Sequence, residues 1–243
     1  MSDLRLRELE RSARHDPAAR VALLTERLRT APACERCGGT GWGGGFPDRS
    51  KPPCPSCTGT GSPLRARIEL AAWCGDEGAR TVLPDLQLPT KRSTFAPHER
   101  HEAFTGFVAG LSRWVDVGPA PGWVLVRAAV AAARVVLRTC GRGLGVGGQQ
   151  IEVQRAALAP RRAIEAAEAW LACPCEEHRR VWSHEWLLTS PAAGSRHDPQ
   201  SDWLPRPLNG WDLRDTPLNC VRLAGEKPVR EAIQRALIEW SLS

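Results

Sequence analysis

Apolar residues recur three and four positions apart along most of this chain, the spacing of one face of an α-helix. Residues 4–13 form a short amphipathic segment. Asp16 then reads as an N-cap with Pro17 at the first helical position, predicting a helix through residue 29. Ser62 and Pro63 repeat that signature before Ile68, Leu70, Ala71 and Trp73, and Gly75 supplies a stop. Asp76 caps a further short helix over 77–83, and a loop follows to about residue 97. Residues 98–114 place Phe104, Phe107, Val108 and Leu111 on one stripe, while 123–137 is apolar nearly all round and is expected to be the buried central helix. Further helices are predicted over 151–158, 161–171 and 175–187. Residues 190–217 read as irregular, and Pro228 opens a last helix that carries Ile233, Leu237 and Trp240 on one face. Strict alternation and β-branched runs are scarce. The expected fold class is all-α, a compact helical array.

One segment breaks this pattern. Residues 32–61 are rich in Gly and Pro and have no room for a core. They contain Cys34-Glu-Arg-Cys37-Gly-Gly-Thr-Gly41 and Cys54-Pro-Ser-Cys57-Thr-Gly-Thr-Gly61, two copies of CxxCxGxG. A CxxC pair turns tightly enough to give two thiolates to one ion, and two pairs complete the tetrahedron that zinc prefers. The glycines let the chain fold back at positive φ. No acid, base or open coordination position accompanies the cysteines. The expectation is therefore one structural Zn2+ held by Cys34, Cys37, Cys54 and Cys57. Trp42 and Phe46 lie between the pairs, where they either fold back on the knuckles or face a partner.

Residues 34–61 resemble the cysteine-rich zinc-finger domain of DnaJ-type chaperones, which carries four such repeats and two zinc ions. Two repeats imply one ion, and two-repeat versions found alone in other proteins look like protein-binding modules. A J domain needs a His-Pro-Asp loop between two helices. Here the order is His15-Asp16-Pro17, so stimulation of a heat-shock ATPase is not implied.

A second phrase recurs faintly. Asp16-Pro-Ala-Ala19-Arg20-Val-Ala-Leu23 and Asp76-Glu-Gly-Ala79-Arg80-Thr-Val-Leu83 share D-x-x-A-R-x-x-L, each at a helix-to-helix joint. The joints resemble those of HEAT-like repeats. Leu4-Arg-Leu-Arg-Glu-Leu-Glu, Arg67-Ile-Glu-Leu-Ala-Ala-Trp-Cys-Gly and Ala163-Ile-Glu-Ala-Ala-Glu-Ala-Trp resemble an uncharacterised helical family of large bacterial genomes, which implies a fold and no activity. The expected organisation is a helical pair over residues 1–31, the finger as an insertion over 32–62, and a helical domain over 63–243.

Charge narrows the function only a little. The net charge is +6, and all basic residues except Lys51, Lys91 and Lys227 are arginine. They are interspersed with acids rather than clustered, so nucleic-acid binding is expected to be weak and salt-sensitive. Nine cysteines, an odd number with four in metal spacing, argue against a secreted disulfide framework. The N-terminus is charged from the start and shows no apolar signal segment, and no stretch is long enough to span a bilayer. The expected address is the cytoplasm.

Cys173-Pro-Cys175-Glu-Glu-His178 places three soft ligands within six residues. Three readings compete: two small core residues at a helix start, a second metal site, and a redox or nucleophilic cysteine. Gly143-Leu-Gly145-Val-Gly-Gly148 satisfies GxGxxG, but it follows a predicted helix rather than a strand and reads as an interhelical loop. The leading expectation is a non-catalytic zinc-binding protein whose finger contacts an unknown protein partner, as a scaffold or chaperone-like module. The alternatives are nucleic-acid binding through the finger and arginine-rich surface, and beyond that an immunity-type protein or an enzyme.

Overall fold

The computed structural model describes residues 3–13, 15–42, 52–84, 97–143, 150–189 and 212–243. Among them are ten α-helices and one 3-10 turn, and the only strand-like pairing is an isolated bridge between Trp42 and Pro53. The all-α expectation holds. The chain divides into two compact units, residues 1–93 with 237–243 and residues 94–236.

The first unit begins with α1 (Asp3–Ser12) and α2 (Pro17–Arg29). As predicted, Asp16 caps α2, its carboxylate accepting from the Ala18 N–H at 2.9 Å. The cysteine segment follows, then α3 (Pro63–Trp73) and α4 (Glu77–Val82). Gly75 takes φ +104 after α3, a conformation that a side chain disfavours. Asp76 caps α4 through the Ala79 N–H at 2.8 Å. The Leu24, Ile68, Ala71, Ala72, Ala79 and Leu83 side chains form the core of this unit, with Leu242 from the chain end packed against them. Two arginines fix that end. Arg27 donates to the Leu242 carbonyl at 2.8 Å, and Arg67 lies 4.9 Å over the Trp240 ring and donates to its carbonyl.

The second unit contains α5 (Pro97–Gly110), the 3-10 turn Leu111–Trp114, α6 (Trp123–Gly143), α7 (Gln150–Ala172), α8 (Glu176–Thr189), α9 (Asp212–Ala224) and most of α10 (Glu226–Leu242). As expected, α6 is the central helix; Val124, Leu125, Ala128, Ala129, Ala132 and Val136 are all buried. It packs against α7 and α9. Trp123 donates from its indole to the Leu171 carbonyl at 3.2 Å, and Arg134 pairs with Glu168.

Three helices differ from the sequence reading: α6 runs on past residue 137 to Gly143, and prolines stand inside the other two. α7 runs unbroken through Pro160, where two helices are predicted, and α9, with Pro217 inside it, is a helix that the sequence reading missed. Proline removes one backbone bond and crowds the preceding turn, so the sequence pattern reads as a break at such positions. Pro217 is itself buried, and α9 packs against α6. Pro228 falls in the first turn of α10, where its missing N–H costs nothing. Residues 144–148 of the glycine run lie outside the described residues.

Candidate metal centre

Each CxxCxGTG phrase makes one knuckle. In the first, the N–H groups of Cys37 and Gly39 donate to the Cys34 carbonyl at 3.3 and 3.2 Å, and Thr40 donates from its N–H and hydroxyl to the Cys37 carbonyl at 3.2 and 2.8 Å. The second repeats this through Cys57 on Cys54 at 3.3 Å and Thr60 on Cys57, by N–H at 2.9 Å and by hydroxyl at 2.6 Å. The hydroxyls were missed in the sequence reading, although threonine occupies the same place in both copies.

The knuckles then clasp one another. The Cys34 N–H donates to the Gly61 carbonyl at 2.7 Å, and the Cys54 N–H donates to the Gly41 carbonyl at 2.8 Å. The contact leaves no space for side chains. A Cβ on Gly41 would stand 2.3 Å from the Gly59 oxygen, and one on Gly61 would stand 2.3 Å from the Gly39 oxygen. Both glycines also have positive φ, +81 and +78. The last glycine of the motif is thus required twice, by conformation and by close approach.

This clasp brings all four sulfurs together. They are at most 2 % exposed and lie within 4.8 Å of one another. The Cys34–Cys54 separation is 3.9 Å and the Cys37–Cys57 separation 3.7 Å. A tetrahedral ion with metal–sulfur bonds of about 2.3 Å needs sulfur–sulfur edges of about 3.8 Å, so the donor set fits a four-thiolate metal. No side chain other than these four joins the cluster among the described residues.

Without a metal the thiols differ. Burial pushes Cys57 up to about 12 and also raises Cys34. Burial opposes ionisation of Cys37 too, but the Gly41 N–H, 3.3 Å from its sulfur, and the neighbouring sulfurs prevail and draw it down to about 7.

Trp42 leaves the first knuckle half-buried and bridged to Pro53. Phe46 lies outside the described residues. Beside the knuckles opens a cleft of about 470 Å³, lined by Ala33, Gly39 and Thr60 and by Leu28, Arg65 and Glu69. Glu69 is 5 % exposed, with Arg65 at 3.6 Å.

The second cysteine group has another character. Cys173 is exposed, and Cys175 and His178 are only partly covered, so neither cysteine is a core residue. The three nevertheless converge within 4.8 Å. Cys74, the residue that closes α3, and Cys220, within α9, are by contrast buried.

No helix among the described residues is long and apolar enough to cross a membrane. Compared with family models, curated proteins and solved structures, the chain has no significant match.

Proposed function

We propose that residues 34–61 are a DnaJ-like zinc finger carrying one structural Zn2+, and that the finger is the contact surface for a protein partner. The observation that carries the reading is the closed donor set. Four thiols with tetrahedral edges and almost no solvent access leave an ion no position for substrate or water. The metal then has a structural task, and zinc in small modules contributes on the order of 10 kcal/mol to folding.

A surface held so firmly is preorganised for binding, which lowers the ordering cost at an interface. Trp42 emerges from it half-covered, and aromatic side chains of this kind often anchor interfaces. The neighbouring cleft adds apolar and backbone surface for a partner segment. The body then serves as a helical scaffold, HEAT-like in its first unit and cytoplasmic.

The charge distribution favours a protein over a nucleic acid. Arginines 20, 27, 29, 80, 134, 179, 180 and 230 all have a carboxylate within 4.0 Å. Basic groups interleaved with acids in this way form no uninterrupted basic patch, so nucleic-acid binding is expected to be weak and lost as salt rises.

The test is the pair Trp42→Ala and Phe46→Ala in the full chain. Zinc content and melting temperature should hold while cross-linked partners of the wild-type protein are lost. Persistence of those partners, with zinc lost or melting lowered, would make the aromatics structural and place the interface elsewhere.

A further inference from the structure

Cys173, Cys175 and His178 stand where α7 passes into α8. Cys173 follows the last residue of α7, Pro174 stiffens the step, and Cys175 precedes the first residue of α8. The Arg179 N–H donates to the Cys175 carbonyl at 3.1 Å, so Cys175 is the helix cap. His178 is one turn onward, and its Nδ1 lies 3.1 Å from both the Cys175 sulfur and the Cys173 carbonyl oxygen. The tight step and the helical turn thus hold two thiols and an imidazole in one place.

Free cysteine normally packs in a core, yet here two sit at a surface beside an imidazole. We propose that Cys173, Cys175 and His178 form a second metal site, an open one that takes a thiophilic divalent cation such as Zn2+ through two sulfurs and one nitrogen. Two thiolates and an imidazole are a zinc donor set, and three protein ligands leave a fourth position for solvent or an incoming ligand. The sulfur–nitrogen edge of such a tetrahedron is about 3.6 Å, from bonds of about 2.3 and 2.0 Å. Opening the present contact by about half an ångström is within reach of side chains that solvent surrounds on one side.

Position in the fold separates this site from the four-cysteine centre. The latter is closed on all sides by its own knuckles, whereas Cys173 is exposed. Glu176 and Glu177 lie in the first turn beside it and add negative charge, although Arg179 and Arg180 stand 3.7 and 3.8 Å from Glu176. An ion here exchanges with solution; it does not hold the fold.

Zinc titration of the reduced full chain against a chromophoric chelator tests the proposal. Two ions per chain are expected, one resisting the chelator and one exchanging readily. Cys173→Ser with Cys175→Ser should remove the exchanging ion and leave the other. His178→Gln removes a direct ligand and should weaken it by more than the roughly 10–100-fold that losing an outer-shell partner costs. Helical circular dichroism should be unchanged in both variants. A stoichiometry of one in the reduced wild type would overturn the site, as would a second ion that survives the double serine variant. Formation of a Cys173–Cys175 disulfide in air, with no metal uptake by the reduced form, would assign the pair to redox chemistry instead.

Discussion

The Arg20 guanidinium donates to the Asp76 carboxylate at 2.5 Å, joining the two copies of the D-x-x-A-R-x-x-L phrase. The copies are not equivalent in use. Asp76 divides its oxygens between Arg20 and the Ala79 N–H, whereas Arg80 of the second copy turns to Glu77 and the Ala72 carbonyl. A phrase that looks like a repeat therefore also encodes the contact between its copies.

Asp76→Ala should cost about 1.5–2 kcal/mol, the sum of a lost N-cap and a partly exposed ion pair. Asp76→Asn keeps a capping oxygen and should cost only the ion-pair share, about 0.5–1 kcal/mol. Denaturant melts of both variants, with Arg20→Ala completing a double-mutant cycle, measure the coupling directly. Equal losses for the Ala and Asn variants would show that the cap contributes nothing.

The knuckles predict opposite responses at neighbouring positions. Gly61→Ala drives a Cβ into the Gly39 carbonyl and should destabilise the finger by about 1–3 kcal/mol, the usual scale of overpacking, with faster zinc loss. Thr58 is the one described non-glycine residue at positive φ, 51°, and its hydroxyl is buried without a partner. Its counterpart in the first knuckle is Gly38, at φ +59. Thr58→Gly relieves strain of about 1 kcal/mol or more, opposed by about 0.5–1 kcal/mol of glycine backbone entropy. The variant should hold zinc at least as long as the wild type. Faster release from it than from Gly61→Ala would contradict the reading.

Metal binding should release protons. Cys34 and Cys57 are raised above their ordinary value in the metal-free protein, so both are protonated at pH 7.5 and must ionise to bind zinc. The folded thiols hold protons that the metal displaces, so affinity rises with pH and falls as acid restores them. Calorimetry in buffers of different ionisation enthalpy should give at least about two protons released per zinc at the four-cysteine site. Uptake with no proton release would contradict it.

Local chemistry made much of this molecule legible in its sequence. Asp16 and Asp76 announce their helices because a cap acts within three residues, and Gly75 announces a stop for the same reason. The four clustered cysteines were legible because each CxxC turn fixes the spacing of its pair in the chain itself. Pro160 and Pro217 misled, since a proline normally ends a helix and both stand inside one here. Arg67 on Trp240 and Leu242 on the Leu24 core join residues far apart in the chain, and no local pattern encodes such pairs. The mutual lock of Gly41 with Gly59 and Gly61 with Gly39 is intermediate: the motif contains the glycines, but only the clasp of two knuckles explains why the last is obligatory.

Zinc-edge X-ray absorption on the reduced Cys173→Ser, Cys175→Ser protein tests the central claim most directly, because that variant keeps the buried centre and lacks the second pair of thiols. One zinc per chain with four sulfur neighbours at about 2.3 Å is the predicted result. No bound metal, an iron centre in its place, or a zinc shell containing nitrogen or oxygen would contradict it.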